Sequence, residues 1–136
     1  MNQARFSALI ELFLTEKFPE FTETLEYKTN DSFDCDLRSP TNEFSIWIDT
    51  NDSEITIGIE DPSGETEIHT HICFMDEEDI EDDLMDLSNT INEIREGKTI
   101  IYHSDAAGYH WTNDINLILE KKNSVEKIRV YSWEVG

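Results

Sequence analysis

Basic residues are scarce in this sequence. Lysine and arginine together number 10 against 31 aspartates and glutamates, which gives a formal net charge of −21 over 136 residues. Nucleic acids and anionic membranes are rich in phosphate, so this charge opposes direct binding to either. The charge favours a cationic ligand, such as a basic protein or a metal ion. An acidic surface that only keeps a small protein soluble would have the same composition.

Cysteine and long apolar runs are also in short supply. Cys35 and Cys73 are the only cysteines and have no CxxC spacing, so the pattern predicts neither a zinc knuckle nor a disulfide framework. No stretch approaches the length of a membrane span, and no basic segment followed by an apolar run marks a signal peptide. We therefore expect a reducing, cytoplasmic setting and no membrane partner.

Alternating apolar and polar residues from Glu43 to Phe74 form the clearest pattern that is present. Side chains of a strand point to opposite faces in turn, so this pattern predicts strands with one apolar face. Turn-forming residues at 50–53 and 61–64 divide the stretch into three antiparallel strands. The apolar positions are Phe44, Ile46, Ile48, Ile55, Ile57, Ile59, Ile68, Ile72 and Phe74.

Helical periodicity appears on both sides of these strands. Residues 2–18 carry an apolar stripe at helical spacing and end at Pro19, and a second stripe runs from Ile80 to Ile94 and ends near Gly97. Shorter patterns predict strands around Asn30–Asp31, at 100–103, 109–111 and 127–133, and a helix at 114–121. No repeat or composition break divides the chain. We expect one α+β domain over residues 1–136, with a mainly antiparallel sheet and both long helices packed on one face.

The other face of the predicted strands has an unusual composition. Trp47, Gly58, His69 and His71 occupy positions where a solvated sheet would carry lysine, glutamate and threonine. Aromatic residues are enriched at the centres of protein-binding surfaces, which favours a partner-binding patch. A small second core covered by the C-terminal helix would explain the same residues. Further members of such a patch would be Tyr102 or His103, and Tyr131 or Trp133.

The start of the second long helix is a run of acids without an intervening base. Such a run is typical of a solvated face, but it could also steer an oppositely charged partner towards the chain. Together with the sheet-face residues it gives the predicted partner-binding set: Asp76, Glu77, Glu78, Asp79, Glu81, Asp82, Asp83, Asp86, Trp47, His69 and His71.

Two chemical alternatives are weaker. His69 and His71 share a strand face, with Glu67 at the preceding position of that face, and could bind a divalent ion if His103 or His110 supplied a third imidazole, as in a metal-dependent hydrolase. Asp105 lies near His103 and His110 in sequence and could take part in acid–base catalysis with them, with Ser104 as a nucleophile. The chain has no G-x-S-x-G elbow and no glycine-rich phosphate loop, so we expect neither an enzyme nor a cofactor.

The segment EFSIWIDTNDSEITIGIEDPSGETEIHTH, followed by the acidic helix, resembles small bacterial immunity proteins of polymorphic and contact-dependent growth inhibition toxin systems. The resemblance covers about the middle third of the chain. It implies a cytoplasmic, non-catalytic protein that binds and neutralises a cognate basic toxin domain, often a nuclease. A DNA-mimic anti-restriction protein is the second binding hypothesis that the charge allows.

Overall fold

The computed structural model describes residues 2–61, 63, 64, 66, 68–73, 80–122 and 125–133. The fold is α+β with an N-terminal helix, which confirms the predicted class. The helices are α1 (Gln3–Lys17), α2 (Ile80–Arg95) and α3 (Ile115–Lys122). The strands are β1 (Glu26–Tyr27), β2 (Phe33–Arg38), β3 (Ser45–Asp49), β4 (Glu54–Glu60), β5 (Ile68–Cys73), β6 (Ile100–Ser104), β7 (Gly108–Thr112) and β8 (Ile128–Tyr131).

The larger sheet is an antiparallel meander in which neighbours in sequence are neighbours in space, in the order β1-β2-β3-β4-β5. Its apolar face carries the alternating isoleucines of β3 and β4, all at most 1% exposed. These residues lie in one buried cluster with Phe6, Ile10 and Leu14 of α1 and with Leu87, Ile91 and Ile94 of α2. Both long helices therefore contribute to the core on the apolar side of this sheet.

Local signals explain where the helices begin and end. The Asn2 side chain accepts a hydrogen bond of 2.8 Å from the Arg5 amide, which caps α1, and a 3-10 helix that begins at Pro19 follows it. After α2 the chain turns at Gly97, whose φ of +78° lies in the left-handed region that glycine adopts without strain. Among the described residues, no helix is long and apolar enough to cross a membrane.

The strands after α2 form a separate three-stranded sheet in the order β7-β6-β8, and the sequence did not indicate this division. Side chains of this second sheet and of the segment after it contact the segments that flank the strands of the first sheet. Trp133 is 5% exposed, with its ring 5.6 Å from that of Phe44, and the Tyr109 hydroxyl donates a hydrogen bond of 3.0 Å to Asp61 Oδ2. β8 is shorter than the strand predicted at 127–133, since Lys127, Ser132 and Trp133 lie outside it.

Candidate functional site

The polar face of the five-stranded sheet is the main candidate site. We call this surface the open face, because every described residue on it except Gly58, which lies under the Trp47 ring, is half-buried or exposed. Backbone register brings together residues from all five strands, since residues opposite each other on neighbouring antiparallel strands share a face. The open face consists of Glu26, Asp34, Asp36, Arg38, Ser45, Trp47, Asp49, Glu54, Thr56, Gly58, Glu60, His69 and His71.

Trp47 lies near the middle of the open face. Its position on β3 is opposite Asp36 on β2 and Gly58 on β4. A Cβ atom at position 58 would lie 2.5 Å from both Cε2 and Cζ2 of the Trp47 ring, so the six-membered ring rests where Gly58 has no side chain. The ring is half-buried and therefore held against the sheet while part of it stays exposed.

Two depressions flank the indole. The larger, of about 440 Å³, lies on the β2 side, and its wall includes four carboxylates, those of Asp34, Asp36, Asp49 and Glu60. The smaller, of about 240 Å³, lies towards the turn after β3 and is lined by Trp47, Asp49, Asn51, Asp52, Glu54, Thr56 and His71. Trp47 is therefore bordered on both sides by acidic side chains.

The acids of the larger depression differ in their ion pairing. Lys28 Nζ lies 3.3 Å from Asp34 Oδ2 and 3.3 Å from Asp49 Oδ2, and the hydrogen bond to Asp49 contributes most to raising the Lys28 pKa. Asp36 and Glu60 are exposed, and no cation of the described ranges lies within ion-pair distance of either carboxylate. The depression thus presents two carboxylates without an ion-pair partner beside an aromatic ring, and Arg38 lies two positions from Asp36 on the same face.

The two predicted histidines also lie on the open face. The His69 ring is 6.2 Å from the Trp47 ring and 5.1 Å from the His71 ring, measured between centroids. His71 Nδ1 lies 2.6 Å from Glu54 Oε1 and 2.9 Å from Thr56 Oγ1. His71 is therefore already in contact with neighbouring polar side chains.

The structure gives no further support to a metal centre here. Across the described ranges, no three histidine, cysteine, aspartate or glutamate side chains are arranged to hold a metal ion. Glu67, also named as a possible ligand, lies outside those ranges. His103 and His110 line one cleft of about 580 Å³ with His69, between β5 and β7. Within it the His103 ring packs 4.7 Å from the Tyr109 ring, and His110 Nε2 lies 2.8 Å from the Ala107 carbonyl oxygen.

The acidic helix lies on a different surface from the open face. Leu87, Ile91 and Ile94 of α2 are buried in the core on the apolar side of the large sheet, whereas Trp47 lies on its polar side. Of the acids in the predicted binding set that lie in α2, Glu81, Asp82 and Asp86 are exposed and Asp83 is half-buried. Asp76, Glu77, Glu78 and Asp79 lie outside the described residues. The predicted binding set is therefore divided between two surfaces.

Of the residues suggested as further members of the patch, Tyr102, Tyr131 and Trp133 do not lie on the open face, whereas His103 lines a cleft with His69. Tyr102 and Tyr131 belong to the second sheet. Trp133 is buried against Phe44. The C-terminal helix α3 contacts β8 of the second sheet, and no described side chain of the open face is fully covered.

Ser104 and Asp105 have structural partners. The Ser104 side chain is 1% exposed, donates a hydrogen bond to Glu126 and accepts bonds of 3.1 Å from the Ala106 and Ala107 amides. This bond to Ser104 is the main cause that lowers the Glu126 pKa. Asp105 Oδ1 accepts a bond of 3.0 Å from the Lys127 amide. These contacts tie the β6–β7 turn to the segment before β8, and no Ser104 hydrogen bond found in the described ranges goes to a histidine.

Sequence reasoning missed the carboxylates that surround Trp47. Asp36 and Glu60 come from different strands, and only the pairing of β2 and β4 with β3 places them beside the indole. Their position as polar residues in an alternating pattern was visible, but the pattern alone did not indicate the register.

No model of a protein family, no curated protein and no solved structure matches the chain.

Proposed function

We propose that this chain is a non-catalytic binding protein that captures a basic protein domain on its open face and thereby blocks it. The observation that carries the proposal is a sheet face with a half-buried tryptophan beside Asp36 and Glu60, two carboxylates that have no ion-pair partner among the described residues. In protein interfaces, aromatic residues near the centre supply much of the binding energy. The acids around Trp47 select a positively charged partner.

The net charge supports the same class of partner. At −21 the protein attracts cationic proteins over distances beyond direct contact, and such steering raises association rates to roughly 10⁸–10⁹ M⁻¹s⁻¹ at low salt. A fast-binding inhibitor gains most from this property, because a toxic enzyme must be blocked before it acts. We therefore propose an immunity protein for a basic toxin domain, as the sequence resemblance implies, acting in the cytoplasm of the bacterium.

The open face is smaller than the surface that one partner buries in a standard protein interface. Four strands of five to seven residues and the two-residue β1, at about 3.3 Å per residue and about 4.8 Å between strands, give roughly 400 Å². A standard interface buries about 800 Å² on each partner. We expect the contact to extend onto a neighbouring turn, and Asn51–Asp52 beside the smaller depression is the acidic candidate.

Co-expression of this chain with the toxin domain encoded beside it tests the proposal. We expect a 1:1 complex on size-exclusion chromatography, an association rate that falls as salt rises, and loss of toxicity. Trp47→Ala should weaken the complex, and Leu12→Ala, an exposed apolar site on α1, is the matched control. Failure of the pair to associate at low salt would contradict the proposal.

The same purified protein separates the two other hypotheses. A DNA mimic should compete with DNA for several unrelated enzymes, whereas an immunity protein should bind its cognate domain alone. A hydrolase that uses His69 and His71 should contain stoichiometric transition metal and lose activity in His69→Ala. Metal analysis and a competition assay against duplex DNA therefore distinguish the three functions.

A further inference from the structure

We propose that the open face recognises an arginine of the basic partner, whose guanidinium stacks on Trp47 and pairs with Asp36 and Glu60. The inference rests on the proposed function, because it specifies which cation of the partner occupies the larger depression. The inferred site prefers arginine to lysine, and net charge alone does not distinguish these two side chains. The occupant is an arginine side chain of a basic protein domain.

The first step concerns the platform. The Trp47 ring rests on Gly58, where a Cβ atom would come within 2.5 Å of the ring and 2.6 Å of the Ile68 carbonyl oxygen. The ring is thus held in place before a ligand arrives, which reduces the ordering cost of binding. Tryptophan is the most favourable aromatic partner for a cation, and guanidinium groups use it more often than ammonium groups do.

The second step concerns charge. Asp36 is directly opposite Trp47, and side chains at such positions have Cβ atoms about 5 Å apart. Glu60 lies two residues beyond Gly58 on the same face and lines the same depression. Asp34 and Asp49 share Lys28, whereas Asp36 and Glu60 have no cation of the described chain within ion-pair distance. A further positive charge in this depression would complete the pairing.

The third step concerns the shape of the ligand. A guanidinium is planar, so it can lie flat on the indole while its N–H groups point outwards to carboxylates on either side. An ammonium is compact and more strongly hydrated, and it cannot stack in this way. The depression of about 440 Å³ has room for the end of such a side chain.

Nuclear magnetic resonance of the full ¹⁵N-labelled chain tests the inference with two short capped peptides as probes, Gly-Arg-Gly-Arg-Gly and its lysine counterpart. The chain has three tryptophans, and Trp47→Phe identifies which indole N–H signal belongs to Trp47. We expect the arginine peptide to move this signal and to bind roughly two- to fivefold more tightly than the lysine peptide. Trp47→Leu should remove the preference while charge-driven binding of both peptides remains.

Charge variants complete the test. Asp36→Asn with Glu60→Gln should weaken binding of the arginine peptide more than Glu81→Gln with Asp82→Gln, which removes the same charge from exposed positions of α2. Trp47→Phe keeps a ring and should keep part of the preference if Trp47→Leu proves unstable. Equal affinity for the two peptides would overturn the arginine inference and leave the proposed function intact. Failure of both peptides and of the toxin domain to bind would overturn both.

Discussion

The ring of Trp47 occupies the space that a side chain at position 58 would need. A Cβ atom on Gly58 would lie 2.5 Å from Trp47 Cε2 and 2.5 Å from Cζ2, and these distances are shorter than real Cβ contacts allow. The neighbouring strand adds a second restriction, because the Ile68 carbonyl oxygen would lie 2.6 Å away. The position of the aromatic platform therefore depends on a glycine on the adjacent strand.

Gly58→Ala should destabilise the fold and displace Trp47. We expect a loss of about 1–3 kcal/mol in the free energy of unfolding, typical of forcing an extra methyl group into a packed site. Urea unfolding measures it. Ser45→Ala on the same face is the control and should change stability by less than about 0.5 kcal/mol. In the Trp47→Ala background part of the loss should remain, since the Ile68 oxygen is backbone. A loss as small as the control's would contradict the geometry at this position.

The apolar face of the same strand gives a second prediction. Ile57 is completely buried, in contact with the cluster that includes both long helices. Ile57→Ala should cost about 2–5 kcal/mol through lost burial and the cavity left behind. Thr56→Ala is the control on the adjacent, polar face, where a hydrogen bond to His71 is lost and about 0.5–1.5 kcal/mol is expected. Chemical denaturation of both variants checks this, and an Ile57→Ala loss below about 1 kcal/mol would mean that the faces are reversed.

The sequence predicted the large sheet well because its information is local. Alternation over β3 and β4 identified which isoleucines face the core, and the same parity put Trp47, His69 and His71 together on the opposite face. In α2, likewise, the buried residues Leu87, Ile91 and Ile94 belong to the apolar stripe predicted from the sequence. In each case the side-chain period of one element was sufficient.

Features that depend on distant pairing were not predictable in this way. The second sheet requires Ile101 on β6 to pair with both Trp111 and Tyr131, and α3 separates the latter two in the chain. Trp133 follows this sheet and is buried against Phe44. In the sequence, a tryptophan at this position was equally consistent with the core and with a binding surface. Asp36 joined the site only through inter-strand register. Periodicity does not contain such information.

Charge reversal on the two acidic surfaces should have different kinetic effects. Asp36→Lys with Glu60→Lys changes the open face, and Glu81→Lys with Asp82→Lys changes α2 by the same net charge. Both pairs should slow association with the basic toxin domain, because both weaken the long-range field. Only the open-face pair should also raise the dissociation rate, by roughly tenfold or more, because it places cations at the contact.

Surface plasmon resonance at two salt concentrations separates these effects. The association rates of the parent chain and of both variants should become more similar at the higher salt concentration, because salt screens the attraction between exposed charges. A larger rise in dissociation rate for the α2 pair would assign the contact to the helix instead of the open face. The circular dichroism of both variants should match that of the parent chain.

The buried thiol of Cys35 predicts how stability changes in alkali. Cys35 is 4% exposed, and burial, followed by the charges of Asp36, Asp34 and Asp49, raises its pKa from 9.0 to about 12. Between these values the folded chain keeps the proton that the unfolded chain loses. The folded state therefore binds more protons, and stability must fall as pH rises through this range. We expect Cys35 to contribute a loss of about 1 kcal/mol between pH 8 and pH 10.

Unfolding of Cys35→Ala and of the parent chain across this range measures the contribution, since the alanine variant should lose less stability with pH. The range stops at pH 10 because Tyr27 adds an effect of the same sign at higher pH. Burial, followed by Glu11, raises the pKa of Tyr27 from its ordinary value of 10.0 to about 12. In a Cys73→Ser background, the remaining thiol should react with a disulfide reagent slowly when folded and rapidly in denaturant. Rapid reaction of the folded protein at pH 8, or the same pH slope in both chains, would contradict a buried, protonated thiol at Cys35.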